Sequence, residues 1–191
     1  MKQDKLTRQV TLNGISPIMF DKYAGDNKTT LEVGQKMYFD KDGKSLVVPS
    51  MNIVSFLTAT NTPSAPKVLL PSKEYKAVAQ AALSYTAVSP FIIPLMRDGE
   101  QIVFHGFADD VDNEGGIEVH RCVARLAKGI PNPKIRPVVR LPWSISFSLA
   151  LYKNNALAEP MLRKLFEQGG IACGLGTYRG VFGKFQVTQW E

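Results

Sequence analysis

The segment Gly169-Gly170-Ile171-Ala172-Cys173-Gly174-Leu175-Gly176-Thr177-Tyr178-Arg179-Gly180-Val181-Phe182-Gly183-Lys184-Phe185 holds six glycines, two basic residues and three aromatics. A helical pattern over residues 160–168 leads into it, and a strand-like alternation over residues 185–190 leaves it. Glycine loses more conformational freedom on folding than any other residue. This density therefore demands a backbone with positive φ, or close approach to another backbone or a ligand. Arg179 and Lys184 put positive charge beside bare amides, which suits a polyanion such as a nucleic-acid backbone. Dinucleotide-binding loops also space their glycines, but they open a helix after a strand. Here the order is helix, loop, strand, and the lysine of a phosphate loop is missing, so that chemistry is excluded. A helix cap at Gly169-Gly170 followed by a tight turn accounts for the first glycines. It leaves Gly174, Gly176, Gly180 and Gly183 unexplained.

A chain of 191 residues is the size of one domain, and residues 1–191 are read as such. No apolar run reaches the length of about 18 residues needed for a membrane span. Met1-Lys2-Gln3-Asp4-Lys5 leads into a strand pattern and not into the apolar core of a signal peptide. A cytoplasmic protein without membrane attachment follows. Cys122 and Cys173 lack metal-ligand spacing and read as buried free thiols. The formal charge of +6 is compatible with a nucleic-acid partner. Its distribution says more. Residues 121–153 contain no acidic residue but hold Arg121, Arg125, Lys128, Lys134, Arg136, Arg140 and Lys153. Asp109, Asp110, Asp112 and Glu114 cluster just before.

Alternation over residues 6–15 predicts a first strand, broken by Ser16-Pro17, with a polar loop over 21–30. Residues 36–40 and 45–48 flank Lys41-Asp42-Gly43-Lys44, a hairpin signal. Ser50 is placed to cap a helix over 51–60 with Ile53, Val54, Phe56 and Leu57 on its apolar face. Residues 61–71 read as a proline-rich loop and 72–82 as a second, serine-capped helix. Residues 88–96 read as an edge strand holding Pro90 and Pro94, followed by a turn at Arg97-Asp98-Gly99-Glu100. A strand is predicted over 117–126. Residues 127–142, rich in proline and basic residues, read as an exposed loop or arm. A strand over 143–152, a helix over 155–168 and the last strand complete the order. The outer parts fit an α+β fold: a ferredoxin-like βαββαβ core, with an antiparallel sheet covered by helices on one face. Residues 61–142 form a large insertion with hairpins and the basic arm.

Arginine and lysine in that arm neutralise phosphates without choosing sequence, and Tyr178, Phe182 and Phe185 are placed either to stack bases or to fill the core. His105 and His120 fall on predicted strands and read as structural. The acidic cluster lacks a calcium-loop pattern, and Asp21 and Asp26 lack the further partners that phosphodiester cleavage needs. No catalytic residue, metal site or cofactor is assigned.

Three segments resemble motifs of one family. Ile15-Ser16-Pro17-Ile18 closes the first strand, and Val48-Pro49-Ser50-Met51-Asn52-Ile53 opens the first helix. Gly174-Leu175-Gly176, Arg179-Gly180 and Gly183-Lys184-Phe185 precede the last strand. They are similar to the repeat-associated RNA-binding (RAMP) superfamily of CRISPR effector complexes, above all its backbone subunit. The resemblance covers both ends of the chain and leaves the middle unmatched. The helix-start motif lacks the family's glycines, lysine and arginine. The resemblance implies a modified RNA-recognition domain, non-catalytic, that stacks with copies or related subunits into a filament. It implies a grip on the backbone of single-stranded nucleic acid, RNA favoured over DNA. A thumb-like hairpin from residues 88–142 would separate groups of bases. Phosphate contacts fall to Arg179, Lys184, Arg121, Arg125, Arg136 and Arg140, with amides of the loop at Gly174, Gly176 and Gly180 adding donors. Two alternatives are a phage-encoded interaction module that mimics such a subunit and inhibits CRISPR assembly, and a metal-dependent nuclease using Asp21, Asp26 or the acidic cluster.

Overall fold

The computed structural model describes residues 4–26, 28–59, 69–71, 73–108, 116–125 and 131–191. Its strands are β1 (Lys5–Gly14), β2 (Ile18–Met19), β3 (Val47–Pro49), β4 (Thr86–Ser89), β5 (Ile92–Pro94), β6 (Met96–Arg97), β7 (Glu100–Gln101), β8 (Ile117–Arg125), β9 (Pro131–Val139), β10 (Ser144–Tyr152) and β11 (Phe185–Trp190). Its helices are α1 (Ser50–Thr58), α2 (Tyr75–Tyr85) and α3 (Glu159–Ala172). The fold is α+β with antiparallel sheets.

The largest sheet runs β11-β1-β10-β6-β7, with β4 also paired to β10. Alternation along its central strands separates two faces. Val10, Leu12, Ile145, Phe147, Leu149 and Leu151 are buried on one. Gln9, Thr11, Asn13, Ser144, Ser146 and Ser148 occupy the other, in register across β1 and β10. On that open face Thr11 Oγ1 hydrogen-bonds to Ser146 Oγ (2.9 Å) and donates to Gln189 Oε1 (2.8 Å). The apolar face is covered by helices. Ile53, Phe56 and Leu57 of α1 and Leu162, Leu165 and Phe166 of α3 are buried. The Phe56 ring lies 5.6 Å from Phe166 and 5.4 Å from Phe185, and Phe147 lies 6.1 Å from Phe166. Each fully buried side chain of this kind contributes about 1.5–3 kcal/mol. Phe166, at the centre of these rings, should lose about 3–5 kcal/mol on truncation to alanine.

Several expectations are corrected. Ser50 does not cap α1. It is a buried first-turn residue, Pro49 holds the N-cap position without a side-chain bond, and the Ser50 N–H goes to Phe91 O (2.8 Å). The β3–β5 pairing runs directly up to Pro49, so the helix follows the strand without a break and Ser50 falls inside its first turn. The single strand expected over 88–96 is three. Pro90 and Pro94 break it, so β4 joins β10, β5 joins β3, and β6 joins β10 and β7. The strand expected over 36–40 is reduced to a bridge between Phe39 and Leu46, although the turn at Asp42-Gly43 forms, with Gly43 at φ +71°. The second helix starts at Tyr75, with Glu74 at the N-cap and no side-chain bond; Ser72 lies outside the described residues. His105 sits in irregular chain after β7 and not on a strand.

The largest correction concerns residues 127–142. Residues 127–130 lie outside the described residues, but the rest of the arm is chiefly β9, paired along its length with β8 and flanked at its end by β2, in a sheet of order β2-β9-β8. Proline is admitted because all three prolines fall on one parity. Phe20 N donates to Pro137 O (3.1 Å) and Lys36 Nζ to Ile135 O (2.6 Å), both on the β2 side. The odd-numbered residues of β9 therefore turn their backbone groups away from β8, and the even-numbered ones make the ladder. Pro131, Pro133 and Pro137 lack only N–H groups that the ladder does not use.

Candidate nucleic-acid interface

The glycine run begins inside a helix. α3 passes through Gly169 and Gly170 and ends at Ala172, so these two glycines are not its cap. A Cβ at Gly170 would lie 2.5 Å from the Phe185 ring, which makes the glycine a packing requirement of helix on strand. The exit comes at Gly174, whose φ of +84° turns the chain left-handed after Cys173 N has bonded Gly169 O (2.7 Å).

From there the loop is laced to itself and to the chain after β1. Leu175 N donates to Gly183 O (2.8 Å) and Gly180 N to Cys173 O (2.5 Å). Thr177 N donates to Met19 O (2.9 Å), Gly183 N to Pro17 O (2.7 Å) and Lys184 N to Ser16 Oγ (2.9 Å). Trp143 fixes the same stretch by donating from Nε1 to Ser16 O (2.7 Å). Of the amides expected to stand bare, those of Gly174, which donates to Gly169 O (3.1 Å), and Gly180 are thus consumed inside the protein. The glycines serve close approach: a Cβ at Gly176 would strike the Met19 carbonyl oxygen, and one at Gly183 the Leu175 carbonyl oxygen.

The loop presents side chains outward. Tyr178, at φ +53°, and Val181 are exposed. Phe182 lies 6.1 Å from Tyr178 and 5.3 Å, edge to face, from His120 on β8. The loop and the β8–β9 hairpin therefore meet through rings. Phe185 is in the core. Among the described residues, half-buried Arg179 makes no hydrogen bond or ion pair, and burial holds its guanidinium below its ordinary pKa. Burial pushes the Cys173 thiol up, while the charges of Arg179 and Lys184 pull it down. Arg179 thus lies in the same loop segment as Tyr178 and Phe182, whose rings meet His120.

The remaining expected contacts are placed differently. Arg136 is buried and bonds Asp21 Oδ2 through Nε (2.8 Å), with Nη1 3.8 Å from Cys122 Sγ. Arg140 is paired with Glu118 at 2.6 Å. Arg121 is exposed, but strand alternation puts it on the face opposite His120. The Arg125 side chain, like Asp109, Asp110, Asp112 and Glu114, lies outside the described residues. Asp26 accepts bonds from Lys28 N, Thr29 N and Thr29 Oγ1, which hold its carboxyl below the usual range. Among the described residues no group of three or more His, Cys, Asp or Glu is arranged to hold a metal ion, and no helix is long and apolar enough to cross a membrane. His120 is the site residue that sequence reasoning missed. Its parity on β8 was readable, but which face meets the loop was not.

No protein-family model and no curated protein matches the sequence. Among solved structures, the fold is similar to that of a chain in the Type III-B Cmr-beta complex bound to cognate target RNA, seen by cryo-electron microscopy. The TM-score is 0.55 at 12% identity, over 98% of this chain and 60% of that one. This chain therefore spans less than two thirds of its neighbour's length, and the likeness is one of fold.

Proposed function

We propose that the protein is a non-catalytic, RAMP-like RNA-binding protein that grips the backbone of single-stranded RNA at the corner between the glycine loop and the β8–β9 hairpin. The observation that carries this reading is Arg179: a half-buried guanidinium with no acidic partner among the described residues, with Lys184 near the same thiol and Tyr178 and Phe182 beside it. A desolvated cation makes stronger charge-assisted bonds to phosphate than a solvated one, and exposed rings stack bases without choosing sequence. The neighbour's RNA-bound state is consistent with this chemistry.

The order β11-β1-β10-β4, with α1 between the first and second of these strands in chain order and α3 between the third and fourth, supports a ferredoxin-like core. On this reading the chain is one domain, and the inserted part narrows to the stretch between β4 and β10, with β8–β9 as its thumb-like hairpin. Stacking with copies or related CRISPR subunits, and a cytoplasmic site of action, belong to the same proposal. Gly174, Gly176 and Gly180 shape the loop, and the phosphate contacts fall to Arg179 and Lys184; Arg121, on the hairpin's other face, is not among them.

Filter binding of single-stranded RNA and DNA at several salt concentrations tests it. Two neutralised phosphates predict a log–log salt slope of about −1.4. Absence of binding at low salt would overturn the function, and a salt-insensitive complex would overturn the phosphate mechanism.

A further inference from the structure

The two edges of the β2-β9-β8 sheet are unlike. On the β9 side, Pro131, Pro133 and Pro137 remove outward N–H groups, and Phe20 N and Lys36 Nζ occupy the Pro137 and Ile135 carbonyls. That edge is closed to another strand. On the β8 side the even-numbered residues make the ladder with β9, so Val119, Arg121, Val123 and Arg125 turn both N–H and C=O outward. Ala108 N takes the Ile117 carbonyl (2.8 Å), which closes only the start of the edge. Among the described residues, the outward groups of Val119, Arg121 and Val123 have no partner. β8 has no proline, and Val123 is 56% exposed.

A row of donors and acceptors at two-residue spacing is a template for strand addition. Peptide backbone satisfies it completely. A phosphate chain supplies acceptors only and would meet every outward carbonyl with like charge. Side-chain charge then selects the peptide. Arg121 is exposed and unpaired among the described residues, and the one acidic residue of β8, Glu118, is held by Arg140. We propose that the β8 edge takes up an extended acidic segment of a second polypeptide as an added strand, independently of RNA held at the glycine loop.

The test uses the full chain and a fluorescein-labelled peptide of about ten residues, a typical upper strand length, alternating Glu with Val. Fluorescence polarisation should show saturable binding. N-methylation of alternate peptide amides should weaken it about tenfold or more, because each removes a strand bond. Val123→Pro should weaken it about fivefold, since it deletes one outward N–H as the β9 prolines do. Its thermal unfolding and RNA affinity should stay unchanged. Three results overturn the proposal: no saturable peptide binding, an N-methylated peptide that binds as tightly as its parent, or a folded Val123→Pro variant that loses RNA and peptide together. Should Val123→Pro not fold, the N-methylated peptide against the unmodified protein decides alone, and RNA binding is read separately in either case.

Discussion

Gly176 stands at φ +75° with its α-hydrogens against the Met19 carbonyl, and Arg179 stands three residues later with no acidic partner among the described residues. The two make opposite demands. Alanine at 176 adds a left-handed cost of about 1–2 kcal/mol, and must also push back the backbone that receives the Thr177 N–H. Gly176→Ala should therefore lose about 3 kcal/mol in urea unfolding. Arg179→Ala removes a desolvated cation and should change stability by less than about 0.5 kcal/mol, while weakening RNA binding about tenfold or more. A stability loss at Arg179 equal to that at Gly176 would make Arg179 structural. Arg136 shows the structural case: its partner Asp21 would be left beside a buried neutral side chain in Arg136→Met, at about 3 kcal/mol. The sequence displayed all of these residues, and the glycine density announced a constrained loop. It did not display Met19 opposite Gly176 or Asp21 opposite Arg136, because both contacts join segments more than a hundred residues apart.

At the scale of elements, β9 shows how a compositional rule fails. Three prolines in seven positions argue against a strand until their parity is considered; placed on one edge they leave the ladder whole. α3 shows a helix whose start is set by tertiary partners. Glu159, in its first turn, accepts from Trp190 Nε1 of β11 (2.6 Å) and from Arg8 Nε of β1 (3.2 Å). The Trp190 bond, followed by the Arg8 interactions, holds the Glu159 carboxyl below its ordinary value of 4.5 despite partial burial. A folded-state value below the unfolded one means that the stabilisation is present above the ordinary glutamate range and is lost as pH falls through the lowered value. Glu159→Gln should therefore be less stable than the unmodified protein at neutral pH, and the difference should shrink as pH falls below the ordinary glutamate range. Urea melts of both proteins across this range check it; a constant difference would assign the effect to packing.

For the whole molecule, the order of strands and helices at the two ends was readable because strand alternation and helical periodicity carry it. The second sheet was not readable, since its register joins Ile117 to Val139 and Ile18 to Val139 through distant pairings. That second sheet changes where a nucleic acid can lie. RNA-recognition sheets stack bases on aromatic residues of their open face. Here the middle of that face carries Gln9, Thr11, Asn13, Ser144, Ser146 and Ser148, with neither ring nor charge. The rings stand instead at the junction of the glycine loop with β8, and the loop carries Arg179 and Lys184, which form no ion pair among the described residues. A negative charge placed on each surface separates the two paths. Gln9→Glu puts a carboxylate on exposed polar sheet; Lys184→Glu reverses a charge beside the loop. If RNA follows the junction, Lys184→Glu should lower affinity about tenfold or more and flatten the salt slope by about 0.7, while Gln9→Glu leaves both near the unmodified values. Equal losses from the two variants would spread the path over the sheet, and a loss from Gln9→Glu alone would move it there.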